Sequence, residues 1–210
     1  MLERYKTITK NAEAEFVEKK SRFISYVRKV TSEEEARAFI DEIKKKNWNA
    51  THNVFAYQIG FNNEIQRFSD DGEPQGTAGM PVLNVLKGGD IKNTAIVVTR
   101  YFGGILLGTG GLVRAYGKAA SLGISEAGIS ERLLMNEYTV TSDYGLYGKI
   151  EYYIKAEGFT IKDVQYTDKV LVKVLMEPKF EGGFLKKLSE ISSGGDIVKF
   201  EGTVWAEREI

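Results

Sequence analysis

The chain has 210 residues, 42% hydrophobic and 28% charged, and its 29 basic residues balance 29 acidic ones for a formal net charge of +0. That composition reads as an ordinary soluble globular protein of one large domain or two small ones, and it excludes a nucleic-acid binder recognisable by bulk charge. Cysteine is absent, which removes disulfides, thiol nucleophiles and thiolate metal sites and fits the cytoplasm.

The charge is uneven. Residues 1–132 carry 19 Lys and Arg against 16 Asp and Glu, and residues 133–210 carry 10 against 13, so any anion site must be local. The opening MLERYKTITK has no apolar run after its charges and does not read as a secretory signal. No stretch approaches the apolar length of a membrane span. The expected location is cytoplasmic, with no membrane partner.

Thr7 to Lys19 predicts a strand pair turning at Lys10-Asn11. Arg22 to Val30 alternates as a further strand, with Phe23, Ser25 and Val27 on one face and Ile24 and Tyr26 on the other. Thr31 or Ser32 then caps a helix, with Glu34 or Glu35 completing a capping box. This helix is expected to bury Ala36, Phe39, Ile40 and Ile43 and to end at Lys44-Lys45-Lys46, where positive charge suits a helix C-terminus. Asn53–Gly60 and Glu64–Phe68 predict a hairpin, followed by the polar loop SDDGEPQG at 69–76. Thr77–Leu86 reads as a helix burying Met80, Val82 or Leu83, and Leu86, with Pro81 tolerated near its start. Thr94–Tyr101 is the most apolar strand and is expected at the centre of a sheet. A last helix starts at Gly110 or Gly111 and runs to Ala127.

A seam near Ser130–Asn136 divides the chain into domains at 1–132 and 136–210. The second domain reads as strand Glu137–Ser142, a helix from Asp143 to Glu157 burying Leu146, Ile150, Tyr153 and Ile154, and a hairpin of Thr160–Tyr166 with Val170–Met176. A helix from Phe180 to Ser192 burying Phe184, Leu185, Leu188 and Ile191 and a final strand Asp196–Trp205 complete it. The order β-α-β-β-α-β is the ferredoxin-like arrangement, which hosts many unrelated functions.

The run TRYFGGILLGTGGLVRAYGKAA at 99–120 combines a strand end, two glycine clusters and a helix start. It is not a P-loop, because Ala119 follows Gly117-Lys118 where a hydroxyl is required, and Val113 stands where a dinucleotide fingerprint needs its third glycine. What remains is a bare-backbone helix start whose free N–H groups can hold an anion. Arg114, Lys118, Ser121 and Ser125 form one polar stripe, opposite Leu112, Val113, Tyr116, Ala119, Ala120 and Leu122. Gly117 and Gly123 would let the helix lie close to a sheet. Turns, packing and a solvated face explain the same residues, and both readings stay open.

Asp70, Asp71 and Glu73 sit too close together for an EF-hand and read as turn residues and as helix N-terminal carboxylates, with no metal expected. Gly76-Thr77-Ala78-Gly79 is a second bare-backbone helix start, so two such starts can face one cleft. His52, the only histidine, is either a general base or an ordinary strand-end residue. No GxSxG elbow marks a serine hydrolase. Tyr101-Phe102 either stacks on bases or ends a buried strand.

The ordered blocks Arg67-Phe-Ser-Asp70-Asp71-Gly72-Glu73-Pro74-x-Gly76-Thr77-Ala78-Gly79-x-Pro81 and Val98-Thr99-Arg100-Tyr101-Phe102-Gly103-Gly104-x-x-Leu107-Gly108-x-Gly110-Gly111-Leu112-Val113-Arg114-Ala115-Tyr116 resemble the IMPACT family in its bacterial, YigZ-type form. The resemblance covers residues 1 to 130, and the remainder is similar to the small second domain of bacterial members. It implies an α+β protein: a four-stranded mixed sheet with helices on one face, like domain IV of elongation factor G, and a ferredoxin-like domain like its domain V. It also implies a setting. Eukaryotic members regulate translation in a stress response, under amino-acid starvation, by competing for the activator of a kinase that phosphorylates an initiation factor, and they carry an extra domain with no counterpart here.

Together these readings lead to a translation-linked regulatory binding protein that contacts RNA or a ribosome-associated partner, rather than an enzyme. The expected anion- and RNA-binding residues are Arg100, Gly103, Gly104, Gly108, Gly110, Gly111, Arg114 and Lys118. The surrounding cleft is expected from His52, Arg67, Asp70, Asp71, Glu73 and Thr77. A phosphate-handling enzyme built on that cleft and a protein–protein adaptor are the alternatives. No cofactor is expected, no catalytic residue is assigned, and homo-oligomerisation is left open.

Overall fold

A computed structural model describes residues 3–209, and within it the chain divides into two compact units, residues 3–132 with 208–209 and residues 133–207. The first unit is built on strands β1 (Arg4–Ile8), β2 (Ala12–Glu18), β3 (Ser21–Lys29), β4 (His52–Ile59), β5 (Ile65–Ser69) and β6 (Thr94–Tyr101), and on helices α1 (Glu33–Lys46), α2 (Gly79–Gly88) and α3 (Thr109–Ala127). Five of the strands form one sheet in the order β2-β3-β6-β4-β5. All four pairings are antiparallel.

This corrects the expectation of a four-stranded mixed sheet. The crossovers through α1 and α2 join β3 to β4 and β5 to β6, and in each case another strand lies between the joined pair. Strands running in the same direction therefore never touch. The expected pairing of the first two strands is also corrected: β2 pairs with β3, and β1 lies outside this sheet.

Helices cover both faces, not one. Strand β6 is buried from Thr94 to Arg100, and its alternation explains how. Ala95 and Val97 join Ile24, Tyr26 and Tyr57 under α1. Ile96 and Val98 join Phe23, Val27 and Val54 under α2 and α3. Such a strand reads as a continuous apolar run because neither face meets water.

Local signals set the helix ends. The Ser32 side chain accepts a hydrogen bond from Glu35 N at 3.2 Å, and the Glu35 carboxylate accepts from Thr31 N at 2.6 Å. Two orphan donors are thereby satisfied at the start of α1. Its buried face is Ala36, Phe39, Ile40 and Ile43. Helix α2 begins at Gly79 rather than Thr77 and leaves Met80 exposed beside buried Pro81, Val82, Leu83 and Leu86. On α3 the buried residues Leu112, Ala115, Tyr116, Ala119, Ala120 and Gly123 follow helical spacing. Val113 and Leu122 fall off that stripe and are exposed. A Cβ at Gly123 would collide with Ser25 Oγ on β3, whereas one at Gly117 would meet nothing.

The second unit uses β7 (Ile129–Ser142, from residue 133), α4 (Tyr144–Ala156), β8 (Thr160–Tyr166), β9 (Val170–Met176), α5 (Glu181–Ile191) and β10 (Val198–Glu209, to residue 207). Its strand order is β10-β7-β9-β8, with β7–β9 and β8–β9 antiparallel. With the element order β-α-β-β-α-β, this is the ferredoxin-like arrangement. Tyr138, Val140, Val170, Val172 and Val174 pack with Ile150 and Ile154 of α4 and Phe184 and Leu188 of α5. Leu146, Tyr153 and Ile191 lie at the edge of this core, and Leu185 faces outward.

Candidate functional site

One polar constellation interrupts the apolar layer between the first unit's sheet and its helices α2 and α3. Antiparallel register sets His52 of β4 opposite Arg100 of β6, and Phe23 of β3 on the other side of Arg100. These three share the face that carries Val54 and Val98, so the charged side chains extend the apolar stripe at its end. The loop after β5 brings Glu73 to them, and α3 contributes Tyr116.

Both members of the central ion pair are buried, with 6% of the Arg100 side chain and 4% of the Glu73 side chain exposed. Arg100 Nη1 donates to Glu73 Oε1 at 2.6 Å, and the Tyr116 hydroxyl donates to the same oxygen at 2.8 Å. Arg100 Nη2 reaches Ser21 Oγ at 3.4 Å. Arg100 Cζ lies 5.5 Å from the Phe23 ring centroid and 5.4 Å from that of Phe102. Burial, and then the Glu73 charge, push the Tyr116 phenol far above its ordinary pKa, so it remains a donor. A buried charge is tolerated only when paired and hydrogen-bonded, and this one is.

His52 is held in one tautomer. Its Nδ1 lies 2.8 Å from the Asp71 carbonyl oxygen, which can only accept, so Nδ1 carries a proton. Nε2 points toward Glu73 Oε1 at 3.8 Å, too far for a direct hydrogen bond. Among the described residues Glu73 Oε2 has no hydrogen-bond partner.

This group floors a cavity of about 400 Å³ lined also by Thr51, Pro74, Phe102, Leu106, Leu107, Gly108, Thr109 and Leu112. The start of α3 is on its wall. Gly108 takes a left-handed conformation (φ 71°) and no side chain caps the helix. Leu112 N bonds to Gly108 O, leaving the preceding first-turn N–H groups without helical partners. Gly104 is also left-handed, at φ 83°. Gly103 is a packing residue, because a Cβ there would collide with the Lys20 carbonyl, and its N–H donates to Ser21 Oγ.

The other expected site residues are placed apart from this floor. Asp70 accepts from Gly76 N, Ala78 N and Gly79 N at 2.8, 3.1 and 2.8 Å, so it satisfies the start of α2. The expected second anion-binding helix start is thereby occupied by the protein's own carboxylate. Asp71 accepts from Asn53 N and pairs with Lys44. Thr77 Oγ1 donates to Pro74 O, which shapes the same loop. Arg67 is exposed, near Glu33. Arg114, Lys118 and Gly111 line a neighbouring hollow of about 240 Å³ with Phe16, Glu18 and Lys19, and Leu107 borders both spaces. Gly110 is open, with only Arg114 near the position a Cβ would take.

Tyr116 and Ser21 carry roles that sequence reasoning missed. Arg100 was the available signal: an arginine in phase with Ile96 and Val98 on a central strand requires a buried acceptor. Among the described residues, no group of three or more His, Cys, Asp and Glu is arranged to hold a metal ion. No described helix is long and apolar enough to cross a membrane.

Comparison with known proteins adds family information. The Impact N-terminal domain model matches residues 19–124, and a domain of unknown function (DUF1949) matches residues 140–194. The chain is 44% identical over 210 residues to the IMPACT family member YvyE of Bacillus subtilis, covering 100% of this chain and 97% of that protein. It is 36% identical over 178 residues to the IMPACT family member YigZ of Escherichia coli, covering 84% and 87%. With Protein IMPACT of Mus musculus it shares 36% identity over 95 residues, 43% of this chain and 30% of that one. A crystal structure described as that of a hypothetical protein superposes with a TM-score of 0.62 at 32% identity, over 95% of this chain and 97% of the other.

Proposed function

The chain belongs to the IMPACT family, and from that premise we propose that it is a translation-linked regulatory protein that binds RNA through its first unit. The observation carrying this reading is the uncapped start of α3. It opens between an apolar cavity and a hollow lined by Lys19, Arg114 and Lys118. Unpaired first-turn N–H groups and the helix macrodipole favour a phosphate there. Arg114 is on the second turn, with its Nη1 3.7 Å from the position a Cβ on Gly110 would take, and suits a bidentate contact. Phe102 and Leu106 are exposed at 45% and 82%, beside that start, where a base can lie against them.

The second unit supports the same assignment by contrast. Ferredoxin-like RNA binders stack bases on aromatic rings of the open sheet face. On its two central strands the residues opposite the core side are Glu137, Thr139 and Thr141 of β7 and Leu171, Lys173 and Leu175 of β9, and none of these six is aromatic.

Titrating RNA affinity against salt tests the reading. Arg114→Ala is expected to weaken all sequences alike and to lower the salt slope by about 0.7–0.9 for the lost contact. Equal slopes for the two proteins would remove Arg114 as a phosphate contact. Absence of RNA binding at low salt would overturn the reading.

The buried floor favours a second reading, a phosphate-handling enzyme. His52 Nε2 and Glu73 face the cavity together, the placement that proton transfer requires. Turnover of a phosphoester abolished by His52→Ala would establish it.

A further inference from the structure

We infer that the cavity in the first unit reads a nucleobase, and that it selects bases carrying an exocyclic amino group, guanine before adenine and cytosine, with uracil last. The inference deepens the RNA reading by naming what enters the cavity.

The walls and the floor point to different parts of one ligand. Pro74, Phe102, Leu106 and Leu112 line the cavity walls. A planar ring fits such walls, and Phe102 offers a half-exposed face to stack on. Arg100 stands 5.4 Å from the same ring and neutralises Glu73, so the floor holds an ionised acceptor without a net charge. That environment suits a neutral heterocycle better than a phosphate, which has its own place at the start of α3.

The floor presents acceptors. Glu73 Oε1 is saturated by Arg100 and Tyr116, while Oε2 has no partner among the described residues. The Asp71 carbonyl fixes the proton of His52 on Nδ1, so Nε2 of the neutral ring is a second acceptor beside the carboxylate. Guanine offers two adjacent donors, N1–H and the 2-amino group. Adenine and cytosine offer one amino group beside an accepting ring nitrogen. Uracil offers a single N–H flanked by two carbonyl oxygens, which would face the carboxylate. A buried site built to hydrogen-bond rejects the ligand that leaves it unpaired.

The test uses the whole chain and labelled hexauridylate, with one internal residue replaced by G, A, C or inosine, read by fluorescence anisotropy. A single G is expected to tighten binding at least about tenfold over U, and inosine, which lacks the 2-amino group, to lose most of that gain. Phe102→Ala, at an exposed position, should bring the G-to-U ratio toward one. Equal affinity for all four bases would overturn the inference while leaving RNA binding intact. If no oligonucleotide binds, the RNA reading fails by itself. Calorimetry with guanosine and uridine 5′-monophosphates then decides the pocket: guanosine-selective binding lost in Phe102→Ala upholds it, and equal or absent binding overturns it.

Discussion

Strands β9 and β6 occupy interior positions in their sheets and treat charge in opposite ways. In the second unit, β9 sends Val170, Val172, Val174 and Met176 into the core and ends there. In the first unit, β6 sends Ile96 and Val98 into the core and then Arg100 into the same layer. Hydrophobic burial stabilises the first arrangement without a buried ion pair. The second requires Glu73, Tyr116, Ser21 and two aromatic rings to make one arginine tolerable, and even so Arg100 Nε remains buried without a hydrogen bond. Buried ion pairs are poor stabilisers relative to apolar residues of similar volume. A fold that keeps one beside a cavity, while its other unit manages without, carries there a cost that apolar residues would not.

Breaking the pair should have the largest effect. Glu73→Gln leaves the Arg100 charge uncompensated and is expected to cost about 3–5 kcal/mol in denaturant unfolding. Amide exchange should rise in β6 and stay unchanged in β9. Adding Arg100→Met to it should recover much of the loss. A single-variant cost below about 1 kcal/mol would show that the pair is less isolated from water than its burial implies.

A smaller effect is expected from Tyr116→Phe, which removes one of the two donors to Glu73 Oε1. The loss should be about 1–3 kcal/mol, the cost of leaving a buried group short of a partner. An unchanged melting temperature would assign that donor no structural weight.

A third effect is at alkaline pH, and it touches both units. Burial first, and the neighbouring carboxylate second, raise the Tyr116 phenol and push that of Tyr138 up to about 12. Both folded pKa values lie above the ordinary tyrosine value, so the protonated phenols stabilise the fold. That contribution is fully present below about pH 10 and is lost, for Tyr138, as pH rises through about 12. Thermal melting between those limits should fall steadily. Tyr138→Phe should flatten the fall in amide protection of β7 and β9 but not of β6; identical curves would break the assignment.

How legible was this in the sequence? The Ser32–Glu35 cap, the buried face of α1 and the bounds of β8 and β9 were readable, because each depends on residues a few positions apart. Met80, Val113 and Leu122 were misplaced because an apolar residue just off a helical stripe looks the same in one dimension as one on it. At the site, Arg100 and His52 stood out by residue type, but Glu73 was indistinguishable from Asp70 and Asp71. Three neighbouring carboxylates took three fates, capping α2, bracing β4 and α1, and entering the cavity.

The sequence by itself determined the kinds and bounds of most elements, the ferredoxin-like order of the second unit and the family to which the chain belongs. Period, caps and motif spacing are local, and they act over a few residues wherever the chain goes. Only the tertiary structure decided that like-directed strands would be kept apart, that helices would cover both faces of the first sheet, and that Arg100 would meet Glu73 across 27 positions of chain. Those outcomes depend on which distant surfaces exclude water from one another, and residues far apart in sequence carry no local signal of that meeting.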